Sequence, residues 1–421
     1  MENKIDQHRG GLSRRDFLAT TAKAAALAGV LSCPAWLREI FDEAAAAGGA
    51  GPPGADLAPL ARYWVAANAA GVDCLTCHAP DEGVSGESHP HEQAVVRCQL
   101  CAQSCTISPG ERGRCRARMN VDGQLRSLVY GHPATVHVDP IEKKPFYHFL
   151  PGSSAFSLAT AGCPLHCRFC QNWELSQARP EDFGGEFTPP GAIVEATERD
   201  GVPVIAFTYN EPTVFTEYLT DIARAARKRG ICSVLVSCGF MQEAPLAEMC
   251  DVLDAIKIDL KGFSEDFYRK VCSAELGPVL RSIKQVAGSG THLEIVNLVV
   301  PTLNDSEYLL TELVKWVVGE LGPDVPVHFT RFHPDYKLLN LPPTPVDTLE
   351  RAYDIARTKG MHYPYVGNVP GHEGNNTYCP GCGRIVIRRT GFFVRENDVT
   401  DGRCPQCGER IAGVWQKPQW Q

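Results

Sequence analysis

AGCPLHCRFCQNWELSQ, residues 161–177, decides how the rest of the chain is read. It follows directly on AFSLAT, 155–160, an apolar run with the length and composition of a buried strand. Cys163, Cys167 and Cys170 are separated by three and then two residues. Thiolates so spaced can wrap one [4Fe-4S] cluster and leave its fourth iron without a protein ligand. An open iron can take the amino and carboxylate groups of S-adenosylmethionine, whose reductive cleavage yields methionine and a 5'-deoxyadenosyl radical. A zinc site built from the three thiolates and a distant ligand is the plainer alternative.

Outward from this stretch, short apolar runs alternate with helical patterns. The predicted strands are VPVIAFT 202–208, CSVLVS 232–237, AIKIDL 255–260, HLEIVNLVV 292–300, VPVHFTRF 325–332 and HYPYVG 362–367. Between them lie amphipathic segments such as EYLTDIARAARKRG and SEYLLTELVKWVVGEL. That alternation predicts an α/β fold with parallel strands, and six or seven units predict a partial TIM-like barrel. In such a barrel the chemistry collects at the C-terminal strand ends.

Those ends carry the candidate ligand-binding side chains. In TYNEP, Asn210 and Glu211 end one strand, where the carboxylate could accept hydrogen bonds from a bound amino group. Glu211 could equally stabilise a helix start at Pro212. SCG offers Ser237 and Gly239, the glycine permitting close approach of a ligand to backbone. In KIDLKG, Asp259 and Lys261 share a face and could hold ribose hydroxyls and a carboxylate, or pair with one another. His328 reads either as a substrate contact or as a hydrogen-bonded core histidine.

The 421 residues are 44% hydrophobic with a formal charge of -8, enough for a sizeable core and a poor match to a polyanionic partner such as nucleic acid. The 18 cysteines fall mostly into short-spaced groups, the pattern of metal ligation rather than of disulfides. Cys98, Cys101, Cys105 and Cys115 could take tetrahedral zinc or an auxiliary cluster. Cys379, Cys382, Cys404 and Cys407 form two CPxCG knuckles around a hairpin-like insert, the pattern of a zinc ribbon and, less closely, of a rubredoxin-type iron site. CLTCH places Cys74, Cys77 and His78 in a c-type haem attachment pattern. A zinc or cluster site completed by His89 or His91, or no metal, are the alternatives there.

At the N-terminus, SRRDFL 13–18 and the apolar stretch to Ser32 resemble a twin-arginine export signal, with cleavage expected after the alanines of 44–47. Cys33 in VLSC is a weaker lipid-attachment candidate. Export of a folded, cofactor-loaded protein to the periplasm or the outer membrane face is expected, with a cytoplasmic location as the alternative. No other stretch is long and apolar enough to span a membrane. The expected organisation is a signal region 1–47, a linker and cysteine-rich module 48–150, a barrel 151–367 and a ribbon-like module 368–421.

The chain resembles the radical S-adenosylmethionine superfamily, near the glycyl-radical activating enzymes and most like the radical enzymes of the AmmeMemoRadiSam system. CQLCAQSCTISPGERGRCRARMNVDG 98–123, the 161–177 stretch, FTYNEPTVFTEY 207–218, DAIKIDLKGFSEDFYRK 254–270 and GNVPGHEGNNTYCPGCG 367–383 carry the likeness. It implies a partial (β/α)6 barrel, a [4Fe-4S] cluster on Cys163, Cys167 and Cys170, and S-adenosylmethionine among Glu211, Asp259 and Lys261. It also implies a reductant, and coupling to Memo-type and AMMECR-type proteins. Where activases often carry GGEP this chain has TYNEP, which weakens a simple activase reading. An electron-transfer or metal-carrying protein that no longer cleaves S-adenosylmethionine is the alternative outside enzymes.

Overall fold

The computed structural model describes residues 54–66, 94–418 and 420. The export-signal sequence, Cys33, the alanines of 44–47, CLTCH, His89 and His91 lie outside the described residues.

The first strands are short: β1 (Trp64–Ala66), β2 (Val96–Cys98) and β3 (Thr106–Ile107) form one antiparallel sheet, and β4 (Arg118–Val121) pairs with β5 (Gln124–Ser127). The main sheet has eight strands: β6 (Thr135–Pro140), β7 (Ser154–Ala159), β8 (Val204–Phe207), β9 (Cys232–Ser237), β10 (Ala255–Asp259), β11 (His292–Val299), β12 (Val327–Arg331) and β13 (Pro364–Gly367). They lie side by side in chain order. From β7 to β13 all neighbours are parallel, and β6 runs antiparallel to β7 along one edge.

Six helices make the crossovers: α1 (Pro190–Arg199), α2 (Thr216–Arg227), α3 (Glu243–Val252), α4 (Leu276–Ser289), α5 (Glu307–Leu321) and α6 (Val346–Thr358). The fold is therefore the expected α/β partial barrel of six β/α units, with a seventh parallel strand closing the run. The strands are buried on both faces, as helices outside and side chains inside require; all four residues of β8 are buried. In α2 the buried Leu219, Ile222, Ala223 and Ala226 make one stripe, while Arg224, Arg227 and Lys228 face outward.

Strand β6 is the departure from the sequence reading, which places its residues in the N-terminal module. The polar His137 and Asp139 of TVHVDP hide it, because Asp139 points into the protein and bonds Lys143, Lys144 and Tyr209 there.

The C-terminal module covers the end of the barrel opposite the Cys163 loop. Its sheet runs β14 (Thr377–Tyr378), β15 (Ile385–Thr390), β16 (Phe393–Asn397). Leu150 N–H donates to Val414 O at 2.8 Å, and Val414 N–H to His148 O at 2.7 Å. Beneath this joint the Glu294 carboxylate, at the start of β11, accepts from the Tyr147 and His148 N–H groups at 2.9 and 2.8 Å and from His328 Nε2 at 2.7 Å. His328 is thus the hydrogen-bonded core histidine, far from the C-terminal strand ends. Burial pushes the His148 imidazole down to about 3, so it is neutral in the fold. Among the described residues no helix is long and apolar enough to cross a membrane.

Candidate active site

Cys163, Cys167 and Cys170 lie on the loop leaving β7, at the C-terminal face of the sheet. Backbone bonds pin the loop: His166 N–H donates to Cys272 O at 3.1 Å and Arg168 N–H to Val271 O at 2.9 Å. Leu165 N–H points at Cys163 Sγ, 3.4 Å away, and Ser176 Oγ lies 3.2 Å from Cys170 Sγ. Gly162 enters the loop at φ +97°, and a Cβ there would stand 2.4 Å from the Cys115 carbonyl oxygen. No residue other than glycine fits that turn without displacing backbone.

The other expected residues arrive at the same face. Asn210 donates to Gly162 O at 2.9 Å, which aims its side chain at the loop, and its Oδ1 is buried with no partner. Glu211 is buried and caps the turn after β8. Its Oε1 accepts from Thr213 N–H and Oγ1, and from Ser237 Oγ at 2.7 Å; its Oε2 accepts from Cys238 N–H at 2.7 Å. The helix-start reading of Glu211 is thus realised, and acceptor capacity is left only on Oε2. Ser237 is turned to Glu211 rather than standing free. Gly239 has its own reason to be glycine: φ is +69°, and a Cβ would meet Ile258 at 2.8 Å.

Asp259 and Lys261 do pair, at 3.3 Å, and buried Lys257 bonds the same carboxylate. Burial opposes the charge on Lys261, but Asp259 and the thiols of Cys167, Cys272 and Cys238 outweigh it and hold its pKa well above the usual lysine range. Burial likewise raises Asp259, yet the two lysines prevail and its pKa falls below the usual carboxylate range. This corner holds a fixed positive charge beside the three thiols.

Sequence reasoning missed Cys272, whose carbonyl accepts from His166 N–H in the three-cysteine loop, and Cys238. Cys272 ends a π-helical turn, Tyr268–Cys272, followed by Ser273 at φ +56°. A π-turn has no apolar period to betray it, although such turns gather at functional sites.

The thiol groups differ in spacing. Cys379, Cys382, Cys404 and Cys407 bring their four Sγ atoms within 4.8 Å of one another, with Cys379–Cys407 at 3.5 Å and Cys382–Cys404 at 3.7 Å. Four sulfurs at 2.3 Å from one zinc ion stand about 3.8 Å apart, so this set fits a single tetrahedral metal. Two like turns build it: Gly383 N–H bonds Cys379 O and Gly408 N–H bonds Cys404 O, both at 2.9 Å. Among the described residues no other three cysteine, histidine or acidic ligand atoms come within 4.8 Å of one another. The Cys163, Cys167 and Cys170 sulfurs do not form such a close-set group. Three free thiols, the orphaned Asn210 Oδ1 and a fixed ammonium fit a cluster that carries a small polar ligand.

A parallel partial barrel with three cysteines on the loop after its first parallel strand defines an iron–sulfur enzyme class. Residues 157–313 match the model of the radical SAM superfamily. An uncharacterized protein of Methanocaldococcus jannaschii is 45% identical over 318 residues, spanning 75% of this chain and 95% of that protein. The chain belongs to the radical SAM superfamily, and it is a radical SAM enzyme. Among solved structures, a domain of a pyruvate-formate lyase-activating enzyme from Bacteroides vulgatus is 16% identical with a TM-score of 0.35, over 39% of this chain and 98% of that one. A radical SAM methyltransferase from Sphaerobacter thermophilus is 15% identical with a TM-score of 0.41, over 52% and 67%. At such scores neither likeness carries an argument about substrate.

Proposed function

We propose that the chain is an oxidoreductase that uses S-adenosylmethionine and a [4Fe-4S] cluster on Cys163, Cys167 and Cys170 to abstract a hydrogen atom from a substrate at the barrel mouth. The single observation that carries this reading is the buried, partnerless Asn210 Oδ1 beside the three-thiol loop. A buried acceptor left unpaired costs about 1–3 kcal/mol, and a donor on a bound ligand would remove that cost. Reduced by one electron from a low-potential donor, a cluster held there would pass that electron to S-adenosylmethionine and so supply methionine and a 5'-deoxyadenosyl radical.

The protein's own part is positioning. Asn210 and Glu211 Oε2 present acceptors to the ligand's amino group, and Lys261, fixed by Asp259, offers a cation to its carboxylate. Phe169, whose ring centroid lies 5.8 Å from Lys261 Nζ, is buried and shields this corner from water. The Cys379 set, in the same reading, holds zinc and fastens the ribbon to the barrel's closed end, away from the chemistry.

The motifs quoted above support placement beside the AmmeMemoRadiSam radical enzymes, and with it Memo-type and AMMECR-type partners. The arginine pair at 14–15 supports twin-arginine export, a route that carries folded proteins. Adding the two partner proteins is expected to raise the yield of 5'-deoxyadenosine; an unchanged yield removes them. Export is checked by fusing residues 1–50 to a reporter, which should leave the cytoplasm only in cells with a working twin-arginine pathway.

The test of the site itself is spectroscopic. Adding S-adenosylmethionine to the reduced, reconstituted protein should change the paramagnetic signal of the cluster, and the C163A/C167A/C170A variant should lose that response. An unaltered signal in the unmodified protein would overturn the assignment of the open iron.

A further inference from the structure

The second wide-set group of thiols lies in the N-terminal module. Cys98, Cys101 and Cys115 are buried and Cys105 is half-buried; none is in a disulfide. Cys98 N–H donates to Cys105 O at 2.9 Å across the end of the β2–β3 pair, and Ser104 N–H to Cys101 O at 3.1 Å. Arg114 N–H is aimed at Cys105 Sγ, 3.5 Å away, as Leu165 N–H is at Cys163 Sγ. The β2–β3 pairing packs Cys105 against the small core that holds Cys98, and the Gly113–Arg114 turn that leads into Cys115 lies against Cys105 Sγ. The four therefore gather at one end of the module, yet no three of their sulfurs come within the 4.8 Å that the ribbon cysteines meet. Zinc would draw them to about 3.8 Å. The module's apolar core is small, comprising Ala61, Val96, Leu100, Ile107 and Leu125 beside Cys98.

Its place is equally specific. Gln103 Nε2 donates to Pro164 O at 3.1 Å and to Ser273 O at 3.3 Å, tying the module both to the three-cysteine loop and to the turn that carries Cys272. Ala102 N–H bonds Phe240 O and Gln242 N–H bonds Leu100 O, both at 3.2 Å, beyond the end of β9. The Cys115 carbonyl rests against Gly162, the residue before Cys163.

We propose that Cys98, Cys101, Cys105 and Cys115 ligate a second [4Fe-4S] cluster at the barrel mouth, next to the first. With four thiolates every iron has a protein ligand, so this cluster has no open position for substrate. It fixes the module on the mouth and stands where an electron from a low-potential one-electron donor can pass to the neighbouring site.

The experiment uses the full chain, reconstituted anaerobically with iron and sulfide, desalted, and assayed for iron, acid-labile sulfide and zinc together with its Mössbauer spectrum. The unmodified protein should hold about eight irons per chain and the C163A/C167A/C170A variant about four, still as a [4Fe-4S] cluster. The C105S variant, altered at the half-buried position, should lose iron from the module while its helical circular dichroism and ribbon zinc stay unchanged. A C163A/C167A/C170A variant that folds, keeps its ribbon zinc and holds no iron overturns the proposal, whether the module then carries zinc or no metal. If instead that variant keeps all the iron of the unmodified protein, the module holds the cluster and the reading of the Cys163 loop fails.

Discussion

Replacing Gly162 by alanine should damage two sites at once, because that glycine is where the N-terminal module and the three-cysteine loop touch. Its φ of +97° is a conformation that costs an L-residue about 1–3 kcal/mol. The added Cβ would also lie 2.4 Å from the Cys115 carbonyl oxygen and 3.3 Å from Ala117 Cβ. The oxygen is backbone and cannot swing aside, so overpacking adds about 1–3 kcal/mol. The sum, about 2–6 kcal/mol, is large against the roughly 5–15 kcal/mol that stabilises a domain. Urea unfolding of the anaerobically purified protein, with iron measured on the same samples, should show a lowered midpoint and loss of iron from the Cys163 loop. Gly191 is the control: it sits in the first turn of α1 with nothing near a built Cβ, and G191A should leave both readings unchanged or slightly improved. A G162A protein within about 0.5 kcal/mol of the parent and with full iron would refute the reasoning.

Other perturbations separate the remaining parts. Arg118 donates to both oxygens of Glu217 at 2.6 Å in a buried pair, so R118M should destabilise by about 3–5 kcal/mol, while R118M/E217L should recover much of that loss in the same unfolding assay. Asn210→Ala should weaken S-adenosylmethionine binding roughly tenfold in equilibrium dialysis, the loss of one hydrogen bond, without changing iron content. Burial raises the Glu142 carboxyl to about 7, above its unfolded value, so the folded state holds the extra proton. Its contribution is present below pH 4.5 and is lost as pH rises toward 7, roughly 3 kcal/mol in all. E142Q should flatten that slope in unfolding midpoints measured from pH 5 to 8, and an unchanged slope would rule Glu142 out as its source. Removing the ribbon metal with a chelator should raise amide exchange across 377–414 and leave α1 to α4 protected; uniform loss of protection would show that the ribbon is not a separate unit.

The parallel strands were legible because buried β-branched runs and amphipathic helices alternate with little interruption between 155 and 367. The three-cysteine loop was legible because its ligands are close in sequence. What escaped lies in contacts between distant segments. Strand β6 reads as polar because Asp139 is neutralised only by Lys143, Lys144 and a tyrosine 70 positions away. Glu211 and Ser237 each look free in their own motifs and are found bonded to each other. Asp259 was readable as a partner of Lys261, and the same two-residue alternation in KIDLKG puts Lys257 on that face too, although the sequence reading passed over it. Cys272 reaches the three-cysteine loop through a π-turn that no periodicity marks.

The most direct test is turnover. The reconstituted full chain, incubated without oxygen with dithionite and S-adenosylmethionine, should release 5'-deoxyadenosine detectable by mass, and the C163A/C167A/C170A variant should release none. Product from that variant, or no product from an unmodified protein whose cluster is spectroscopically intact, would contradict the assignment of radical chemistry to this loop.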